Sequence, residues 1–319
     1  MRKALVAGLA ALLLVAGLVG GTQLLDGGAL GRTKADRATP EPGSPGRAAP
    51  LAGRVIDTLG VASFNAYRHL PLRKARHDWD RITRDGRVDL IGWQESKSPA
   101  FRELYPQYRD RGWETWHHPA PGGPISLAFS WREDRLRLLE VEYRRMHRGG
   151  YPRETRSPFP ARWAVVAEFA DLATGLSVTL VNTHVNQTIE TGDRFEDNLN
   201  ARFAKRHLRK LTRMWRTLDG DVVVGTGDYN FDHADDDRAR PAGGITRRFR
   251  GAAVSSYQAL GLEGLRPTRH SRWIDYVFLS SDTMRTRKHP GHAQFASHRV
   301  LGGFHSDHAP VLARIRLYE

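Results

Sequence analysis

Short apolar runs rich in β-branched and aromatic residues recur through this chain, while helical periodicity is confined to two stretches. Runs of this length, bounded by turn-forming residues, read as strands. The expected strands are Val61–Phe64, Val88–Trp93, Ile125–Trp131, Arg135–Tyr143, Trp163–Phe169, Leu176–Thr183, Val222–Val224, Trp273–Leu279 and Pro310–Leu317. Ala173-Thr174-Gly175 reads as a hairpin turn between two of them. One helix is expected around Arg73–Arg84 and a clearer one at Asn198–Leu218, where Leu199, Phe203, Leu208, Leu211, Trp215 and Leu218 recur at spacings of three to five. The interleaved Lys205, Arg206, Arg209, Lys210 and Arg213 then form a solvated face. Helices do not follow every strand, so a doubly wound parallel sheet is disfavoured, and an α+β or layered mixed-sheet fold is expected.

The chain has 319 residues, of which 40% are hydrophobic and 26% charged, enough for a sizeable core. Arg2 and Lys3 precede an uncharged run from Ala4 to Leu25. Residues 1–25 therefore read as a signal peptide or an N-terminal membrane anchor. Val19-Gly20-Gly21 is a poor cleavage site, and if the segment is uncleaved, the positive-inside rule leaves the rest of the chain outside the cytoplasm. Either outcome gives an extracytoplasmic protein, secreted or tethered. Residues 26–53, with Pro40, Pro42, Pro45 and Pro50, read as a flexible Pro/Gly-rich linker, and residues 54–319 as one folded domain. The sequence holds no cysteine, which excludes disulfides, thiolate metal sites and cysteine nucleophiles.

Most of the expected strands end on a polar group able to do chemistry. Gly227-Asp228-Tyr229-Asn230 follows an apolar run, so Asp228 and Asn230 either close the strand with an Asx turn or face one pocket. In the pocket, Asp228 could orient or deprotonate a water and Asn230 could donate to a phosphoryl oxygen. His184, in Asn182-Thr183-His184, is either a packed histidine or a donor to phosphate. Asp275 sits inside the apolar run Trp273–Phe278, where a charge is costly unless paired. His308, in Ser306-Asp307-His308, is its natural partner: Asp275 would orient the ring and stabilise imidazolium. Glu95 and Asn65 each close a strand, and with Asp307 they offer the hard oxygen donors that Mg²⁺ prefers.

Taken together, Ser63-Phe64-Asn65, Gln94-Glu95, Asn182-Thr183-His184, Gly227-Asp228-Tyr229-Asn230, Ile274-Asp275-Tyr276 and Ser306-Asp307-His308 resemble the successive motifs of the DNase I-like endonuclease/exonuclease/phosphatase superfamily. They occur in the family's order across about residues 57–319. The resemblance implies an α+β sandwich of four layers, with two central mixed β-sheets flanked by helices. It implies a Mg²⁺-dependent phosphoesterase, with Mn²⁺ as a substitute, in which water attacks phosphorus in line. Glu95 then resembles the metal-binding glutamate, with Asn65 beside the metal and Asp307 near it. Asp228 resembles the residue that positions the water, and Asn230 the phosphoryl donor. His184 resembles the phosphate-contacting histidine, and His308, held by Asp275, the acid/base histidine. Two family features are missing: no second acid pairs with His184, and Tyr67 stands where some DNA-repair relatives carry an acid.

The substrate is less defined. The formal charge is +14, with only 7 lysines among 49 basic residues. That suits a polyanion partner, and equally an arginine-favouring GC-rich genome. Tyr143–Trp163 reads as a long connection in which Arg144, Arg145, Arg148, Arg153, Arg156 and Arg162 either grip phosphates or simply face solvent, and Arg285, Arg287 and Lys288 add positive charge elsewhere. A nuclease on DNA or RNA is the first expectation. A sphingomyelinase-like phospholipid phosphodiesterase at an anionic membrane surface, or a small-molecule phosphatase, is the second. A non-catalytic binding module is the third. No protein partner is implied.

Overall fold

The computed structural model describes residues 53–150, 160–191, 194–236, 244–286 and 289–319. The apolar N-terminal run, the linker up to residue 52, Arg153, Arg156, Arg287 and Lys288 lie outside the described residues. No helix among the described residues is long and apolar enough to cross a membrane.

Among the described residues sixteen strands are formed. In chain order the first seven are β1 (Val55–Asn65), β2 (Leu90–Gln94), β3 (Trp113–His117), β4 (Leu127–Arg132), β5 (Leu136–His147), β6 (Arg162–Asp171) and β7 (Ser177–His184). Then come β8 (Glu190–Thr191), β9 (Arg194–Phe195), β10 (Val222–Asp228), β11 (Ala253–Ser255), β12 (Asp275–Ser280), β13 (Arg285–Thr286), β14 (His289–Pro290), β15 (Ala293–Val300) and β16 (Val311–Tyr318). The helices are α1 (Leu72–Thr83), α2 (Pro99–Leu104), α3 (Leu199–Trp215), α4 (Ile245–Arg248) and α5 (Ser256–Leu260).

Two six-stranded sheets carry the fold, in the orders β15-β16-β1-β2-β4-β3 and β11-β12-β10-β7-β6-β5. Both are mixed in the same way. The central pairs β1/β2 and β7/β10 are parallel, and every other pairing within the two sheets is antiparallel. A parallel pair needs a crossover, and α1 and α3 supply one each. The expected α+β sandwich is therefore present.

Period-two alternation sorts each strand between two cores. Along β1, Val61 joins the large cluster between the sheets, while Ala62 and Phe64 join a second cluster under α1 and α2. Between the sheets, Phe169 packs edge-on to Phe129 and Trp131, with ring centroids 5.7 and 5.5 Å apart. Under α1, Trp79 stacks on Trp93 at 4.4 Å and on Tyr108 at 5.0 Å. On the far side, α3 buries Phe203, Leu208, Leu211 and Trp215, and its first turn is capped by Asn198 Oδ1, which accepts from Ala201 N. The sheets approach closely at Gly92, where a Cβ would stand 1.9 Å from Thr226 Oγ1. Glycine is required there because the neighbour is a buried side chain of the opposite sheet.

The strand boundaries differ from expectation where charge interrupts the apolar pattern. β5 continues through Arg144 and Arg145 to His147, and β6 begins at Arg162, so the supposed connection Tyr143–Trp163 is strand at both ends. β5 is an edge strand, and its exposed face carries charges because an edge must resist pairing with other chains. β3, β11 and β15 have no counterpart among the expected strands.

Candidate active site

The C-terminal ends of the two parallel pairs lie together, as ligand sites at strand ends generally do. Asn65 closes β1 and Glu95 follows β2; His184 closes β7 and Asp228 closes β10. In register, Asp228 pairs with His184 on one side and with Asp275 on the other. Antiparallel β12 therefore begins where β10 ends, bringing Asp275 to the same edge. His308 arrives on the segment that leads into β16.

Asp228 is the hub. Its Oδ2 accepts from Asn65 Nδ2 of the opposite sheet at 2.9 Å and lies 3.3 Å from His184 Nε2 and 3.9 Å from His308 Nε2. Its Oδ1 accepts the backbone N–H of Asn230 at 2.9 Å. Burial alone would raise this carboxyl, but His184, His308 and the Asn65 hydrogen bond hold it well below the usual carboxylate range. Strand register, rather than proximity in sequence, sets His184 beside Asp228, and among the described residues no second acid pairs with it.

Asp275 is fully buried, and its Oδ2 accepts from His308 Nδ1 at 2.8 Å. Burial raises the Asp275 carboxyl, opposed by His308. The same burial disfavours charge on His308, yet Asp275, with Asp228 and Asp307, lifts the imidazole to about 9. At neutral pH the imidazole is therefore charged, held through Nδ1 by Asp275, with Nε2 3.9 Å from Asp228 Oδ2. Thr268 fixes the acid in place, its Oγ1 accepting Asp275 N at 3.3 Å, and Tyr257 O–H donates to the Asp275 carbonyl at 2.6 Å. Ser306 Oγ donates to the Asn65 carbonyl at 2.7 Å and accepts His308 N at 3.1 Å, tying the His308 segment to β1.

Three non-glycine residues around this edge occupy the left-handed region: Tyr67 (φ 53°), Glu95 (φ 57°) and Asn230 (φ 52°). Such backbone costs on the order of 1–3 kcal/mol per residue and persists where surrounding contacts over-determine it. At Asn230 those contacts are the Asp228 hydrogen bond and the amide Nδ2, 3.3 Å from His184 Nε2 and 3.2 Å from the Val185 carbonyl. At Glu95 the carboxylate meets Arg68 Nη1 at 3.3 Å and Arg68 N at 3.4 Å.

Arg162 was expected only as one arginine of a basic connection. It opens β6 and sets Nη1 3.4 Å from His184 Nδ1. Burial lowers its pKa, while Asp228 and Glu95 both favour its charge. Applying the strand-end rule to Trp163–Phe169 would have singled it out.

The remaining expected residues are placed otherwise. Asp307 is paired with Arg269 at 2.8 Å, and among the described residues no contact joins it to Glu95 or Asn65. Arg144 pairs with Glu142 at 2.9 Å, and Arg145 lies over the Trp163 ring at 5.7 Å. Arg148 is exposed just past the end of β5, at the sheet edge where Arg162 opens β6. Asp307 and His308 line a cleft of about 370 Å³ with Arg266, His270 and Phe304. A second cleft of about 610 Å³ adjoins it at Phe304 and is lined by Arg81, Arg84, Arg87 and Arg299.

The sequence matches no protein-family model and no curated protein. Solved structures do match. A D. rerio TDP2 in complex with a single-strand DNA product superposes with a TM-score of 0.59 at 15% identity, covering 81% of this chain and 99% of that one. An endonuclease/exonuclease/phosphatase from Bacteroides vulgatus gives 0.58 at 18% identity, over 82% and 99% of the two chains. A mannosyl-6-phosphatase from Bacteroides thetaiotaomicron gives 0.53 at 18% identity, over 81% and 99%. The likeness is one of fold: this chain shares the two-sheet α+β sandwich of these proteins.

Proposed function

We propose that the protein is a divalent-metal-dependent phosphoesterase that hydrolyses phosphodiester bonds in nucleic acid, exported and acting outside the cytoplasm. The observation that carries the reading is the convergence of Asn65, His184, Asn230 and the Asp275–His308 pair on the single ionised carboxylate of Asp228, drawn from both sheets. Phosphoryl transfer needs positioning and charge neutralisation more than covalent chemistry.

In this reading Asp228, fixed through both oxygens, orients a water and accepts its proton as the water oxygen bonds to phosphorus. The Asn230 amide, His184 and Arg162 hold the non-bridging oxygens. The His308 imidazolium, kept charged by Asp275, gives its Nε2 proton to the departing ester oxygen as the P–O bond breaks. An alcohol and a phosphomonoester leave. Glu95 and Asn65 would hold the cation. Their oxygens are of the hard type Mg²⁺ or Mn²⁺ prefers, and among the described residues the Glu95 carboxylate makes only long hydrogen bonds, at 3.3 and 3.4 Å, to Arg68. A bound ion supplies neutralisation of charge at the phosphoryl group. Asp307, held by Arg269, would act on the cation at most from a distance.

The two adjoining clefts support a polyanionic substrate. Their walls carry Arg266, Arg81, Arg84, Arg87 and Arg299 against Asp85 and Asp307, with Phe304 between them as a surface for a base. Arg148 would extend the positive edge beyond β5.

The test is a parallel hydrolysis assay with Mg²⁺ on plasmid DNA, RNA, sphingomyelin and a panel of sugar phosphates, with Asp228→Ala as the blank. Asp228→Ala is expected to stay folded and lose at least ~10²-fold in turnover, the scale of a positioned acid/base group. Degradation of nucleic acid that the blank lacks supports the proposal. Cleavage confined to lipid or sugar phosphates keeps the mechanism and refutes the nuclease assignment. A folded Asp228→Ala with normal turnover refutes the mechanism.

A further inference from the structure

A second cluster of ligating side chains lies outside the site described above. His77 and Asp78 sit on α1, and His305 sits on the segment that leads to His308. The two imidazoles are exposed and face each other, with ring centroids 4.6 Å apart at an angle of 60°. Asp78 lies beneath them at 1% exposure. Its Oδ1 accepts His305 N at 2.7 Å and meets His77 Nδ1 at 3.2 Å, and its Oδ2 accepts Ser306 N at 2.8 Å. Among the described residues no lysine or arginine pairs with this carboxylate, although the chain carries 49 basic residues. A buried carboxylate is ordinarily matched by a countercharge.

We infer that His77, Asp78 and His305 form a site for a divalent transition-metal ion of the zinc class, separate from the phosphoesterase centre. One ligand atom from each residue already lies within 4.8 Å of the other two. A tetrahedral zinc ion with bonds of ~2.0–2.2 Å needs its ligands roughly 3.4 Å apart, a closure that two exposed imidazoles reach by small rotations. Two nitrogens and one carboxylate oxygen select zinc, cobalt or nickel over magnesium, whose ligands are oxygens. Three protein ligands leave a fourth position for water. The ion supplies the positive charge that Asp78 otherwise lacks. It also ties α1 to the segment that positions His308, whose neighbour Ser306 is bonded to Asn65. The inference does not depend on the nuclease reading.

The test uses the whole, untagged protein with excess Mg²⁺ present. Asp228→Asn serves as the background, because Asp228, Asp275 and His308 could also gather an ion. Co²⁺ is titrated and followed by its visible absorption, and Zn²⁺ is titrated by calorimetry and by thermal melting. The expected result is one equivalent bound in Asp228→Asn, with a tetrahedral cobalt spectrum and a Zn²⁺-dependent rise in melting temperature. His77→Ala or His305→Ala, made in that background, is expected to weaken binding by at least ~10-fold, the minimum for disturbing a metal's ligand shell. Both residues are exposed, so the fold should tolerate either change. Absence of stoichiometric binding in Asp228→Asn, or binding that survives undiminished when both histidines are replaced, overturns the assignment.

Discussion

Replacing Asp275 with asparagine separates charge from shape in the His308 pair. The amide keeps an oxygen that can accept from Nδ1, but removes the negative charge 2.8 Å from the ring. Burial disfavours the imidazolium, and Asp275 is the leading reason its pKa nonetheless rises from 6.5 to about 9. That rise corresponds to about 3 kcal/mol of preference for the charged ring. Without Asp275 the ring should titrate at or below its ordinary value. The protonated fraction near pH 8 then falls by roughly 30-fold, while near pH 6 it changes less than about twofold. The assay is kcat/KM for a chromogenic phosphodiester measured across the acid-to-alkaline range. Wild type should lose activity as pH rises through about 9. Asp275→Asn should lose it well below neutrality's alkaline side and recover most of it in acid. The stability sign is the same. A raised folded pKa stabilises the fold below the unfolded value, and the benefit is lost as pH rises through about 9. The gap in melting temperature between wild type and variant should therefore narrow in alkali. An alkaline limb that stays near 9 in Asp275→Asn, or an equal loss at every pH, would refute the imidazolium assignment.

Arg162→Met is expected to lower kcat/KM by ~10²-fold, the scale of one preorganised donor, with circular dichroism unchanged; undiminished activity would remove Arg162 from the site. Gly92→Ala places a Cβ 1.9 Å from Thr226 Oγ1 and should cost about 1–3 kcal/mol by denaturant unfolding. Adding Thr226→Ala should return part of that loss, and strictly additive effects would show that the sheets do not press together there. Exhaustive chelation should abolish hydrolysis, and Mg²⁺ or Mn²⁺ should restore it; activity that survives chelation argues against a cation at Glu95 and Asn65.

Asn65, Glu95, His184 and Asp228 could be read from the sequence because each breaks an apolar period at a strand end, and Asp275 because it is an acid inside an apolar run. Period two fixes which face a residue takes, and a polar group where the pattern stops has to find a partner or solvent. Pairings across strands were less readable. His184 and Asp228 are joined only by the β7/β10 register, which no local pattern encodes. Arg162 was hidden by the arginine excess: one functional guanidinium does not stand out among so many solvated ones. The strands β3 and β15 escaped notice for the reason β5 looked short. They lie at sheet edges, where one face or part of it meets solvent and polar residues interrupt the apolar run. The left-handed backbone at Glu95 had no local signal, since neighbours distant in sequence impose it, whereas asparagine at 230 tolerates that region readily.

The hydrogen bond from Asn65 to Asp228 spans 163 residues of chain and crosses from one sheet to the other. Neither half of the fold contains a working set of groups. The first sheet brings Glu95 and Asn65, the second brings Asp228, His184 and Arg162, and the two meet only when the layers dock. The proposed activity therefore requires the two sheets to dock and not secondary structure alone. During refolding, circular dichroism would recover first, and turnover would follow the slower closing of the sandwich. A chain released before residue 306 is made would lack His308 and the Ser306 bond that anchors its segment on β1. A partly folded copy would therefore lack the complete set of groups on which the proposed reaction depends.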